Sequence, residues 1–134
     1  MCKARAAAGS DARMSGCPLP VVICSGSGNQ GLTVSMPIIT AAEQLGKSQE
    51  ELYRALAFGN LLTLYIKSGI GKLSAYCGVV SAGVAGVAAV AFLKGDSQQI
   101  IEDTVSNGLA NTSGIAREGM KQTDVVILNE MLKH

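Results

Sequence analysis

Residues 73–93 form a run of 21 residues without a charged side chain, closed at its two ends by Lys72 and Lys94. A segment this long and this apolar has few places to go. It is either a helix packed on all sides inside a protein or a helix that crosses a bilayer, for which about 20 apolar residues suffice. Composition separates the two. The run is mostly Ala, Gly, Ser and Val, which transfer to lipid only weakly. Gly78, Ala82 and Gly86 recur every four residues, so one helix face is flat enough for another backbone to come close. The reading favoured is a buried helix in a soluble all-helical core, with a membrane span as the alternative.

The flanking sequence predicts more helices. Residues 2–8 favour helix, and Gly9 is expected to stop it. Pro18 and Pro20 impose an extended approach to a glycine-rich loop, with residues 21–24 as a candidate short extended piece. Residues 31–45 predict a helix that Gly46 ends; Pro37 lies either near a start after Ser35 or at a kink. Ser48-Gln49-Glu50-Glu51 is a capping box. It opens a helix whose core positions Leu52, Ala55, Leu56, Gly59, Leu62, Thr63 and Ile66 recur at three and four. Residues 68–71 break the pattern before the uncharged run. Beyond it, Asp96 and Gln99 suggest a second capping box, leading into a helix marked by Ile100, Ile101, Thr104, Val105, Gly108, Leu109 and Thr112. Gly114 and Gly119 interrupt, and Thr123-Asp124 opens a last helix carrying Val125, Val126, Leu128, Met131 and Leu132. No segment alternates as a strand does. The 134 residues read as a single, partial domain, residues 1–134: an all-α multi-helix bundle with a buried Ala/Gly-rich helix and a glycine-rich loop near the N-terminus.

Several function classes lack support. The net charge is +1 and no basic stripe alternates with aromatics, which argues against nucleic acid as a partner. The four cysteines, at positions 2, 17, 24 and 77, form no Cys-x-x-Cys pair, and no secretory leader precedes them. A reduced, cytoplasmic protein is the expectation. His134, at the end of the sequence, is its one histidine, which argues against histidine catalysis or a zinc centre.

The glycine-rich loop reads Ser25-Gly26-Ser27-Gly28-Asn29-Gln30-Gly31. Glycines let a backbone approach a ligand and present its N–H groups, and the hydroxyl and amide side chains add donors. A cradle for a small anionic group such as a carboxylate fits these letters, and so does an ordinary surface turn. No Gly-Lys-Ser/Thr follows, so it is no Walker loop. Gly26-x-Gly28-x-x-Gly31 matches the dinucleotide fingerprint by letter, but helices follow it rather than a second strand ending in an acid.

Four groups of residues are specific in combination. They are Gly9-Ser10-Asp11-Ala12-Arg13-Met14-Ser15-Gly16-Cys17-Pro18-Leu19-Pro20-Val21; Gly26-Ser27-Gly28-Asn29-Gln30-Gly31; Leu64-Tyr65-Ile66-Lys67-Ser68 with Gly71-Lys72-Leu73-Ser74-Ala75-Tyr76-Cys77-Gly78; and Ala116-Arg117-Glu118-Gly119-Met120 with Thr123-Asp124. Together they resemble the C-terminal catalytic region of the L-cysteine desulfidase family, related to the alpha chain of bacterial iron–sulfur L-serine dehydratases. The resemblance runs over essentially the whole chain. It implies an all-helical catalytic domain and a 4Fe-4S cluster held by three cysteines, with one iron open as a Lewis acid. The implied reaction is β-elimination from L-cysteine or L-serine, giving pyruvate and ammonia with sulfide or water.

Carried over by residue, Cys77 matches the first cluster cysteine. Ser25, Gly26, Ser27, Gly28, Asn29 and Gln30 match the segment expected near the substrate carboxylate. Lys67 and Ser68 lie in a matching motif that implies no role for them. Cys17 matches a position where the family often has cysteine, and Cys24 stands where relatives usually have Asn. The catalytic base is not identified. Two departures bear on activity. The family's amino-terminal half has no counterpart here, and its Cys-Asp-Gly-Ala-Lys-x-x-Cys segment is missing, since Ile115 runs directly into Ala116-Arg117-Glu118. One matched thiolate does not hold a four-iron cluster. The expectation is therefore a truncated, impaired lyase relative that does not assemble the cluster. The alternative is a non-catalytic helical remnant that binds a partner or self-associates through exposed apolar surface.

Overall fold

The computed structural model describes residues 1–70 and 77–116, with the backbone alone for residues 70 and 112–116. Five helices follow one another: α1 Cys2–Met14, α2 Gly28–Leu45, α3 Gln49–Ile70, α4 Gly78–Lys94 and α5 Gln98–Ala116. No strand occurs among the described residues, and residues 24 and 27 form one isolated bridge. The all-α expectation holds. The last helix, opened by Thr123-Asp124, lies outside the described residues.

Helix α4 is the centre. It packs against α2, α3 and α5, and Ala82, Ala85, Ala88 and Ala89 have no exposed surface. Its small residues set how closely the neighbours come. A Cβ at Gly86 would lie 3.3 Å from the carbonyl oxygens of Thr33 and Val34 on α2. Pro37 has no N–H to give the Thr33 carbonyl, so α4 crosses α2 where a helical hydrogen bond is missing. Pro37 itself lies inside α2 and not near its start. At Gly59 of α3 a Cβ would meet Ile38 of α2 at 2.9 Å and Ala89 of α4 at 3.2 Å. Three helices thus converge on one bare Cα. Phe58 and Phe92 stack with ring centroids 5.0 Å apart and close the outer end of the α3–α4 contact. Among the described residues no helix is long and apolar enough to cross a membrane.

Helix ends follow local chemistry. Ser48 and Glu51 form the expected reciprocal cap: the Ser48 N–H donates to Glu51 Oε2 at 2.9 Å and the Glu51 N–H to Ser48 Oγ at 3.3 Å. Helices α1, α2 and α4 each close on a glycine of positive φ, Gly16, Gly46 and Gly95, and the N–H of the residue after each glycine donates to the carbonyl five residues before it.

Four boundaries differ from expectation. Gly9 does not stop α1, which runs on to Met14. The bare Cα of Gly9 lies against Leu32 of α2, 3.3 Å from where its Cβ would be, and that packing outweighs a glycine's helix penalty of about 1 kcal/mol. Helix α2 starts at Gly28 rather than at residue 31. Ser97 rather than Asp96 caps α5, its Oγ 3.5 Å from the Ile100 N–H. Asp96 faces Lys94 at 3.9 Å, and its N–H closes α4. In addition, α5 continues through Gly114 to Ala116.

Candidate functional site

The glycine-rich segment is half turn and half helix. Cys24 and Ser27 exchange backbone hydrogen bonds of 3.2 and 3.1 Å. Between them, Ser25 and Gly26 both have positive φ, 52° and 83°, as in a type I′ turn. Glycine adopts this readily, whereas a serine there costs about 1–2 kcal/mol. Lys67, reaching from α3, donates from Nζ to the Ser25 carbonyl at 2.9 Å and holds the strained residue in place. Lys67 is partly buried and has no carboxylate partner among the described residues.

Helix α2 then begins. Its N-cap Ser27 makes no side-chain cap bond, so the first-turn N–H groups of residues 28–30 present the positive end of an 18-residue helix. Gly31 lets residues 22–24 fold back across this turn: a Cβ there would stand 1.8 Å from the Val22 carbonyl oxygen. The chain direction set by Pro18 and Pro20 therefore ends against the helix it leads into.

The six residues matched to a substrate carboxylate are brought together but differ in what remains available. Ser25 and Ser27 are half-buried and Gly26 is exposed. Gly28 is buried beneath Arg13 of α1, whose Nε lies 2.8 Å from where a Cβ would be. Asn29 is committed to α1: its Oδ1 accepts from Arg13 at 2.9 Å, and its Nδ2 approaches Met14 Sδ at 3.5 Å. Gln30 is 7 % exposed, and its Oε1 is buried with no hydrogen-bond partner among the described residues. An unmet interior acceptor of this kind costs about 1–3 kcal/mol. Its amide stands over Gly78, the first residue of α4: Nε2 and Oε1 lie 2.2 and 2.9 Å from where a Cβ of Gly78 would be. Helix α4 also lacks a side-chain cap, its N-cap being Cys77. Two uncapped helix starts thus meet at the Gln30 side chain.

The thiols are dispersed. Cys2 is half-buried on α1, Cys17 is exposed beyond its end, Cys24 is buried and Cys77 is exposed. Burial pushes the Cys24 thiol above its ordinary pKa; the Thr63 hydroxyl and the Lys67 charge pull it partly back. An open groove of about 590 Å³ beside the loop is lined by Arg13, Cys17, Leu19, Ile23 and Gly28 among others. Among the described residues no three His, Cys, Asp or Glu side chains come together to hold a metal, and all four cysteines are described. A four-iron cluster takes three or four thiolates. The residues of this chain do not fit one.

Sequence reasoning named the loop but not the groups that fix it. Lys67 and Thr63 lie one helical turn apart on α3, and that spacing was the available signal. Arg13 carries no such signal, and the spacing of Gly78 with Ala82 and Gly86 marks a close-packed face without naming what packs there.

A family model described as serine dehydratase alpha chain matches residues 1–123. The chain is 56 % identical over 119 residues to a UPF0597 protein of Desulfitobacterium hafniense, covering 89 % of this chain and 28 % of that protein. It is 52 % identical over 121 residues to a UPF0597 protein of Lachnoclostridium phytofermentans, covering 90 % and 29 %. A UPF0597 protein of Bacteroides fragilis is 43 % identical over 114 residues, covering 85 % and 27 %. The chain spans less than a third of the length of these curated relatives. No solved structure matches it.

Proposed function

We propose a function from one premise: the chain belongs to the serine dehydratase alpha chain family. Its part in that family is to hold a small amino acid, L-cysteine or L-serine, for β-elimination to pyruvate and ammonia with sulfide or water. These 134 residues bind the amino acid but do not complete the reaction by themselves, because they do not supply the thiolates a four-iron cluster takes.

The observation that carries the binding reading is the loop's electrostatics. A partly buried lysine without a carboxylate partner among the described residues is fastened to a turn of two positive-φ residues. That turn leads straight into an uncapped helix start. A carboxylate lodged there meets oriented N–H groups and a fixed cation, both arranged before it arrives. The same cation acts on the buried Cys24 thiol beside the loop. The cluster, where a family member carries one, supplies Lewis acidity toward the substrate; this chain's residues bind and orient.

Two measurements test the reading. Titration with L-serine and L-cysteine, followed by amide NMR, is expected to shift the signals of residues 25–31. Anaerobic incubation with iron and sulfide is expected to give no cluster absorbance and no pyruvate. Unmoved loop signals with both amino acids would sink the binding half. A four-iron preparation that forms pyruvate would sink the other.

A further inference from the structure

We propose that Gln30 receives the α-ammonium group of the bound amino acid, so that the site selects α-amino acids over carboxylic acids lacking an α-donor. The proposal rests on the amino-acid-binding reading above and assigns the second point of contact.

Most acceptors around the loop already have donors. The Cys24 carbonyl accepts from the Ser27 N–H, and the Ser27 carbonyl from the N–H groups of Cys24 and Gly31. The Ser25 carbonyl is taken by Lys67 and the Asn29 carbonyl by the Thr33 hydroxyl. Asn29 Oδ1 is taken by Arg13. Among the described residues, Gln30 Oε1 alone is a buried side-chain acceptor without a donor, and it is shut off from solvent. The loop that leads into its helix carries the first-turn N–H groups of α2 and the Lys67 ammonium on the Ser25 carbonyl, donors suited to a carboxylate. A ligand that satisfies both needs carries a negative group and, next to it, a hydrogen-bond donor. An α-amino acid carries both on one carbon. A charged donor also makes the stronger hydrogen bond.

The side chain also takes its space from Gly78. Its amide lies where a Cβ of residue 78 would project, so only a glycine at the start of α4 leaves room for it. A buried acceptor built to meet a donor rejects an analogue that lacks one, because the acceptor is then left unmet.

The test compares L-serine with 3-hydroxypropanoate, which keeps the carboxylate and the hydroxyl but has no α-ammonium. Calorimetry on the whole chain is expected to show L-serine bound about tenfold or more tightly than the analogue. Gln30→Leu is expected to lose that preference while keeping its affinity for the analogue. Gln30→Met, unbranched and of matching length, repeats the measurement if the leucine variant does not fold. Lys67→Met is expected to weaken both ligands. If the unmodified chain binds no L-serine, the amino-acid reading falls and the Gln30 assignment falls with it. If L-serine binds and its preference survives in both Gln30 variants, the Gln30 assignment alone is overturned.

Discussion

Gly28 and Gly31 lie one helical turn apart and answer to different neighbours. A Cβ at Gly31 would strike the Val22 carbonyl, a backbone atom held by its own chain, whereas a Cβ at Gly28 would meet the end of the Arg13 side chain. Gly31→Ala is therefore expected to cost about 3 kcal/mol or more, and Gly28→Ala to change stability by less than about 1 kcal/mol. Urea unfolding of the two variants checks this; equal midpoints would contradict the close passage of residues 22–24. The sequence located these glycines in one motif but could not say which served a turn and which a contact. Gly26 takes its positive φ from a local turn signal, which is visible in the letters. The partner of Gly31 is nine positions away and is set by tertiary folding, which no local propensity records. Gln30 was named as a site residue, but its missing donor appears only once α4 is placed against it.

At the scale of the helix, the Ser48–Glu51 cap titrates. The Ser48 N–H, then the Lys47 ammonium and the Ser48 hydroxyl hold the Glu51 carboxyl at about 2, below its ordinary 4.5. A carboxyl lowered on folding favours the folded chain above its unfolded value and loses that contribution as pH falls. The first turn of α3 is thus expected to loosen between pH 4.5 and about 2. Circular dichroism during urea unfolding, run on the parent and on Glu51→Gln, isolates the effect from other carboxylates. The stability difference between the two should shrink across that window; a difference independent of pH would rule the cap out as its source. This element was legible because a capping box is a local device with a fixed spacing. The misplaced ends of α1, α2 and α5 were not, since Leu32 packing carries α1 past Gly9 and α4's closure takes Asp96 away from α5.

Over the whole molecule, the uncharged run marks the central helix, because residues without charge or bulk suit close packing against several neighbours, although Val87 and Phe92 remain exposed. Helix α3 shows the converse. Tyr53, Leu61, Leu64 and Tyr65 lie on one of its faces and are exposed, apolar side chains that a partner surface can cover. Self-association through this face is expected, and sedimentation velocity across a concentration series measures it. Leu61→Lys with Tyr65→Lys should restore a single light species, and a parent chain that sediments as a monomer at every concentration would refute the stripe's role.

The thinness of α4 carries a consequence for the bundle's tolerance of change. Three helices rest on one narrow axle of alanine and glycine, and a methyl added at Gly86 presses directly on the backbone of α2. Outer positions of the neighbours have room to vary in size, while the axle keeps its gauge.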